Sequence, residues 1–101
     1  MEARVIFADE ELKSTFENLK TEDPRLFKEI IHALDSIKQN VFFGRNVKKE
    51  LIRKYNIDNL WIYNLRRDWR LIYSVTGTRV EVLAIILDWM DHKDYERLFG
   101  F

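Results

Sequence analysis

The chain contains no cysteine, one proline and three glycines, and its formal charge sums to zero over 101 residues. Without cysteine there is no disulfide framework and no thiolate metal site, and nothing points to an oxidising compartment. No apolar run approaches the ~20 residues needed to cross a bilayer. The start, Met1 to Phe7, lacks the long apolar region and cleavage site of a signal peptide, so the cytoplasm is the expected compartment. A phosphate-cradling glycine loop, a zinc motif and a Gly-x-Ser-x-Gly elbow are all missing. So are internal repeats, low-complexity segments and linkers. Residues 1–101 therefore read as a single domain, long enough to bury roughly two-thirds of its unfolded surface around one core.

The charge is unevenly spread. Between Val41 and Val80 nine basic residues face three acidic ones, a net of +6, while the flanking segments are each acidic by three. A basic middle is the footprint of polyanion binding on one face, although ordinary solvated surface gives the same pattern.

The most informative stretch is Asn59 to Val75, NLWIYNLRRDWRLIYSV. Leu60, Ile62 and Asn64 alternate with Trp61, Tyr63 and Leu65. After Arg66-Arg67-Asp68 the alternation resumes, with Trp69, Leu71, Tyr73 and Val75 on one face and Arg70, Ile72 and Ser74 on the other. Period-2 patterning in aromatic and β-branched residues predicts two strands joined by a tight charged turn. Arg70 is the anomaly, since a guanidinium within an apolar strand costs free energy unless it is paired or wet.

The remaining elements follow in order. Ala3 to Ala8 reads as a short strand. Asp9 is a good N-cap for a helix over about Glu10 to Lys20, with Leu12, Phe16 and Leu19 at helical spacing. Asp23 caps a second helix with Pro24 in its first turn and a continuous apolar stripe from Leu26 to Ile37. His32 reads as a surface histidine, its possible metal-ligand neighbours being only Glu29 and Asp35. The periodicity of Asn40 to Tyr55 does not decide its structure. Thr76-Gly77-Thr78 predicts a turn, Arg79 to Leu87 a doubly covered strand, and Asp88 to Phe101 a short helix or ordered tail. Segregated helices and a meander define an α+β fold: N-terminal strand, helical hairpin, then an antiparallel meander of three or more strands. The helices are expected to cover one sheet face and the basic residues to occupy the other.

Arg70, His92 and Tyr95, with Lys48 and Lys49, form the candidate chemistry. His92 and Tyr95 share a face if their segment is helical. A base, an acid and a cation are what splitting a phosphodiester by 2′-hydroxyl attack requires. Each has a plain structural reading too: Tyr95 packing on the core, His92 at a helix end, Arg70 held by Glu81 or Asp88.

WRLIYSV is similar to the "YRLVY"-type strand of the RelE/ParE toxin superfamily. LDWMDHKDYERLFGF resembles the "DHKEY…FGY"-type ending of small archaeal and bacterial proteins grouped with those toxins. The element order matches throughout. The resemblance implies a toxin of a type II toxin–antitoxin pair, a ribosome-dependent mRNA endoribonuclease that needs no metal or other cofactor. It gives Arg70 the contact to the scissile phosphate, and His92 or Tyr95 the acid or base role. Lys48, Lys49 and Glu50 fall where such toxins place lysines or a glutamate. Arg45, Arg53, Lys54, Arg66 and Arg67 are the implied RNA contacts. The implied partners are a cognate antitoxin, covering the basic face or displacing the C-terminal tail, and the ribosome with its mRNA. Ile62 and Asn64 stand where some members carry strand lysines, so a lysine base there is excluded. Members are strongly basic, as a ribosome binder should be, whereas this chain is neutral. The alternatives are a non-nucleolytic ParE-like toxin and a diverged protein-binding module with Trp61, Trp69, Trp89 and Phe101 as an aromatic surface.

Overall fold

The structure, a computed structural model, describes residues 2–47, 59–66, 68–77 and 81–99. Strand β1 (Arg4–Phe7) leads into helices α1 (Glu10–Glu22) and α2 (Pro24–Gln39), followed by strands β2 (Arg45–Asn46), β3 (Leu60–Asn64), β4 (Trp69–Gly77) and β5 (Val82–Asp91). Helix α3 (His92–Phe99) ends the described chain. The five strands form one sheet in the order β1-β5-β4-β3-β2, antiparallel except for β1 beside β5. The expected α+β architecture is therefore present.

The helical hairpin starts and stops on two aspartates. The Asp9 carboxylate accepts from the Leu12 N–H at 2.7 Å. Asp23 serves both helices: its N–H donates to the Leu19 carbonyl, and its carboxylate accepts from the Leu26 N–H at 3.2 Å. One residue thus connects the helices, and α1 runs two residues beyond its expected end. Such caps are worth about 1 kcal/mol each.

Leu26, Ile30, Ala33 and Ile37 of α2 pack with Phe16 and Leu19 of α1 onto Leu71, Tyr73, Val75, Ala84 and Ile86 of the sheet. Burying a large aliphatic side chain such as Ile30 is worth roughly 1.5–3 kcal/mol. Trp61, Trp69 and Trp89 are half-buried against this same core; Phe101 lies outside the described residues.

The opposite sheet face differs from expectation. Among the described residues its centre is a second apolar cluster of Val47, Leu60, Ile62, Ile72 and Met90, closed by Tyr95 of α3 with Leu98 against it, while Arg70 and Arg45 reach Tyr95 on the same face. The apolar moment of the last segment, read as a short helix, is what seals this face. Strand β5 runs four residues past its expected end, because a bulge absorbs the break in alternation: Tyr73 pairs with Ile86 and Ile72 with Asp88. A bulge places two residues opposite one and adds local twist.

Among the described residues two non-glycine residues take positive φ. Asp68, at φ 62°, closes the β3–β4 hairpin, where the Leu65 N–H donates to the Trp69 carbonyl at 2.8 Å. Asn59, at φ 59°, donates its side-chain amide to the Val75 carbonyl at 2.8 Å. Asn and Asp tolerate this region because their short polar side chains bond locally.

Candidate functional site

The site is assembled where β5 gives way to α3. Asp91 ends the strand beside Trp69, and its carboxylate accepts from the Asp94 N–H at 2.9 Å, capping the helix. His92, Tyr95 and Glu96 then follow at helical spacing. Tyr95 points inward and is 3 % exposed, while His92 and Glu96 stand on an adjacent, solvent-facing stripe.

Arg70 pairs with Asn64 on β3 and Met90 on β5, so its side chain emerges on the α3 face. Its guanidinium lies 5.7 Å above the Tyr95 ring centre, within cation–π range. One terminal nitrogen donates to the Trp69 carbonyl at 3.3 Å, and the other is 3.5 Å from His92 Nδ1. Its Nε is buried without a hydrogen-bond partner among the described residues. The carboxylates named as possible partners are engaged elsewhere: Glu81 faces Arg4 at 3.7 Å, and Asp88 accepts from the Trp89 N–H at 2.8 Å. Burial pushes the Asp88 carboxyl above its ordinary value, opposed by that N–H bond.

His92 Nε2 lies 2.6 Å from the Glu96 carboxylate. Arginine donates and cannot accept, so in the tautomer that satisfies both contacts Nε2 donates to Glu96 and Nδ1 accepts from Arg70. A ring nitrogen thus lies beside the Arg70 guanidinium, with the Glu96 carboxylate on the other side to orient the ring.

Arg45 completes the group. Its guanidinium donates to the Tyr95 hydroxyl at 3.1 Å. Arg45 is held there by a lock beneath β2. The Tyr73 hydroxyl donates to the Val41 carbonyl at 2.7 Å and accepts from the Gly44 N–H at 3.1 Å. A Cβ at Gly44 would meet the Ile62 carbonyl oxygen at 2.5 Å, so only glycine allows this approach. Tyr73 is fully buried, and desolvation pushes its phenol up to about 12.

The structure therefore brings Arg70, His92, Tyr95 and Arg45 together. Arg66 lies apart, at the β3–β4 turn beside Tyr63 and Asn64. Lys48, Lys49, Arg53, Lys54 and Arg67 lie outside the described residues. Sequence reasoning missed Glu96, which its four-residue spacing from His92 would have flagged on a helix. It also missed the Tyr73–Gly44 lock, because a tyrosine in an apolar alternation looks like ordinary core.

No family model matches the chain, and no curated protein matches it. The fold is shared with a solved toxin structure. The YoeB/ParE toxin from Agrobacterium tumefaciens superposes with a TM-score of 0.67 at 16% identity, covering 88% of this chain and 98% of that one. Among the described residues no helix is long and apolar enough to cross a membrane.

Proposed function

We propose that this protein is the toxin of a type II toxin–antitoxin pair and acts as a ribosome-dependent mRNA endoribonuclease in the cytoplasm. The observation that carries the reading is the convergence of the Arg70 guanidinium and the His92 Nδ1 lone pair, 3.5 Å apart on the α3 face. The solved YoeB/ParE toxin of the same fold supports the toxin class.

In this mechanism the scissile phosphate docks on Arg70, whose charge stabilises the crowded phosphorane. His92 Nδ1 takes the 2′ proton, with Glu96 holding the ring and stabilising the imidazolium. The 2′ oxygen attacks phosphorus and the P–O5′ bond breaks, leaving a 2′,3′-cyclic phosphate. The departing 5′ oxygen takes its proton from a general acid; Lys48 and Lys49, candidates from the sequence, lie outside the described residues. The Tyr95 hydroxyl is buried and engaged by Arg45, which suits a positioning role beneath the two arginines. The partners are the ribosome and mRNA during the reaction and a cognate antitoxin that neutralises it.

The test is cleavage of a translated message by purified protein on programmed ribosomes. His92→Gln is expected to lower the rate roughly 10²- to 10⁴-fold, the usual weight of one acid–base group. Cleavage at the wild-type rate in that variant contradicts the assignment. The alternative, a non-nucleolytic ParE-like toxin, draws on the net charge of zero; it expects growth arrest without cuts.

A further inference from the structure

Two phenylalanines stand out on the surface. Phe42 and Phe43 are 60% and 61% exposed, the highest values among the large apolar side chains described as exposed. They are not loosely held. The Phe42 N–H donates to the Asn40 side chain at 3.0 Å, the Phe43 N–H to the Asn40 carbonyl at 3.0 Å, and the Tyr73 lock secures Val41 and Gly44 on either side. Phe42 leans on the Trp61 ring at 5.2 Å, which leaves Phe43 over Tyr63 with ring centres 5.9 Å apart and planes 29° off parallel.

Beneath Phe43 lies a cavity of about 300 Å³ lined by Gly44, Arg45, Ile62, Tyr63 and Asn64. It exists because β2 is short. Its two residues cover Trp61 and Ile62, leaving Tyr63 and Asn64 beyond the end of the edge strand. The cavity is continuous in chemistry with the candidate site. Arg45 lines it and also donates to Tyr95 under Arg70, and Asn64 is the cross-strand partner of Arg70. A second cavity of about 410 Å³ shares Tyr63 and Asn64 and adds Lys28, His32 and Arg66, with Glu29 as its acidic member.

We propose that the Phe43 cavity is a base-stacking subsite for the nucleotide flanking the scissile phosphate, with Arg45 and Asn64 as its polar contacts. This rests on the nuclease reading above. An exposed aromatic ring beside Arg45, at the open edge of β3 and one strand away from Arg70, is a combination by which single-stranded nucleic acid is held. A protein helix asks for a broader apolar groove, whereas here Phe43 and Tyr63 border a small cavity whose walls include Arg45 and Asn64.

The experiment uses a short single-stranded 2′-O-methyl RNA carrying 2-aminopurine, which cannot be cut through its 2′ oxygen. Stacking quenches its fluorescence. Titration with the wild type is expected to quench at saturation. Phe43→Ala is expected to abolish the quench and weaken binding roughly 5- to 150-fold, the range for loss of one base–aromatic stack. Phe43→Trp is expected to restore both, which a folding defect would not allow. No quench by the wild type, or equal quench and affinity in Phe43→Ala, overturns the proposal, and in the second case leaves the aromatic pair to a protein partner. If the wild type stacks the oligonucleotide but cuts no ribosomal message, the nuclease reading fails and the stacking subsite stands.

Discussion

The Arg45 guanidinium donates to the Tyr95 hydroxyl at 3.1 Å across 50 residues of sequence, tying the edge strand to the C-terminal helix. Tyr95 is also a structural stopper, since its ring closes the apolar cluster of Leu60, Ile62 and Ile72. The two roles separate by mutation. Tyr95→Phe keeps the ring and is expected to cost about 1 kcal/mol, the usual net value of one hydrogen bond. Tyr95→Ala opens the cluster and is expected to cost about 3–5 kcal/mol. Urea unfolding measures both. Equal losses would mean that the hydroxyl, not the ring, holds α3 in place.

Tyr73 gives a pH signature. Its folded value is pushed up to about 12 from the ordinary 10.0, because burial disfavours the phenolate. The neutral form is the one the fold prefers. Stability is full below pH 10 and falls as pH rises through about 12, by on the order of 2–3 kcal/mol. Tyr73→Phe is expected to lose roughly 1–3 kcal/mol at neutral pH, by stranding the Val41 carbonyl and the Gly44 N–H. Its difference from the wild type should shrink above pH 10. Urea midpoints across that range check the sign. A difference that grows with pH contradicts it.

Asp88 is expected to behave as a mild liability. Burial raises its carboxyl above the ordinary 3.8, so the ionised form is less welcome in the fold than in the unfolded chain. Its contribution to stability is most favourable below 3.8 and is lost as pH rises through the raised folded value. Asp88→Asn retains an oxygen for the Trp89 N–H and should be more stable than the wild type at pH 7, with the advantage fading in acid. Urea titrations at pH 7 and in acid decide it. A less stable variant at pH 7 would show that the charge is compensated.

The sequence made Arg70 legible because a cation interrupts an otherwise apolar alternation in WRLIYSV. The helices were legible from Asp9, Asp23 and Pro24, whose capping chemistry is local. What stayed hidden depends on tertiary register. The bulge opposite Ile72 and Tyr73 extends β5 by changing its pairing, which no window of sequence encodes. The parallel pairing of β1 with β5 joins the first and last strands of the chain. Arg45 entered as an RNA contact, and its bond to Tyr95 required both the short β2 strand and α3 to be placed. The basic residues were expected on the sheet face left free by the helical hairpin; that the centre of this face is apolar follows from Ile62, Ile72 and Met90 sharing it.

The most direct test of the central claim is induced expression of the wild type beside Arg70→Ala, with translated messages mapped for new 5′ ends. Arg70 is half-buried with its guanidinium over Tyr95, so urea unfolding of the variant serves as the control for folding. The account predicts growth arrest with cuts at a fixed position in the reading frame for the wild type, and loss of both in a folded Arg70→Ala. Lysine at this position should recover little, because it replaces the planar two-pronged donor with a point charge. Undiminished cutting by Arg70→Ala, or arrest by the wild type without any new 5′ ends, would contradict it.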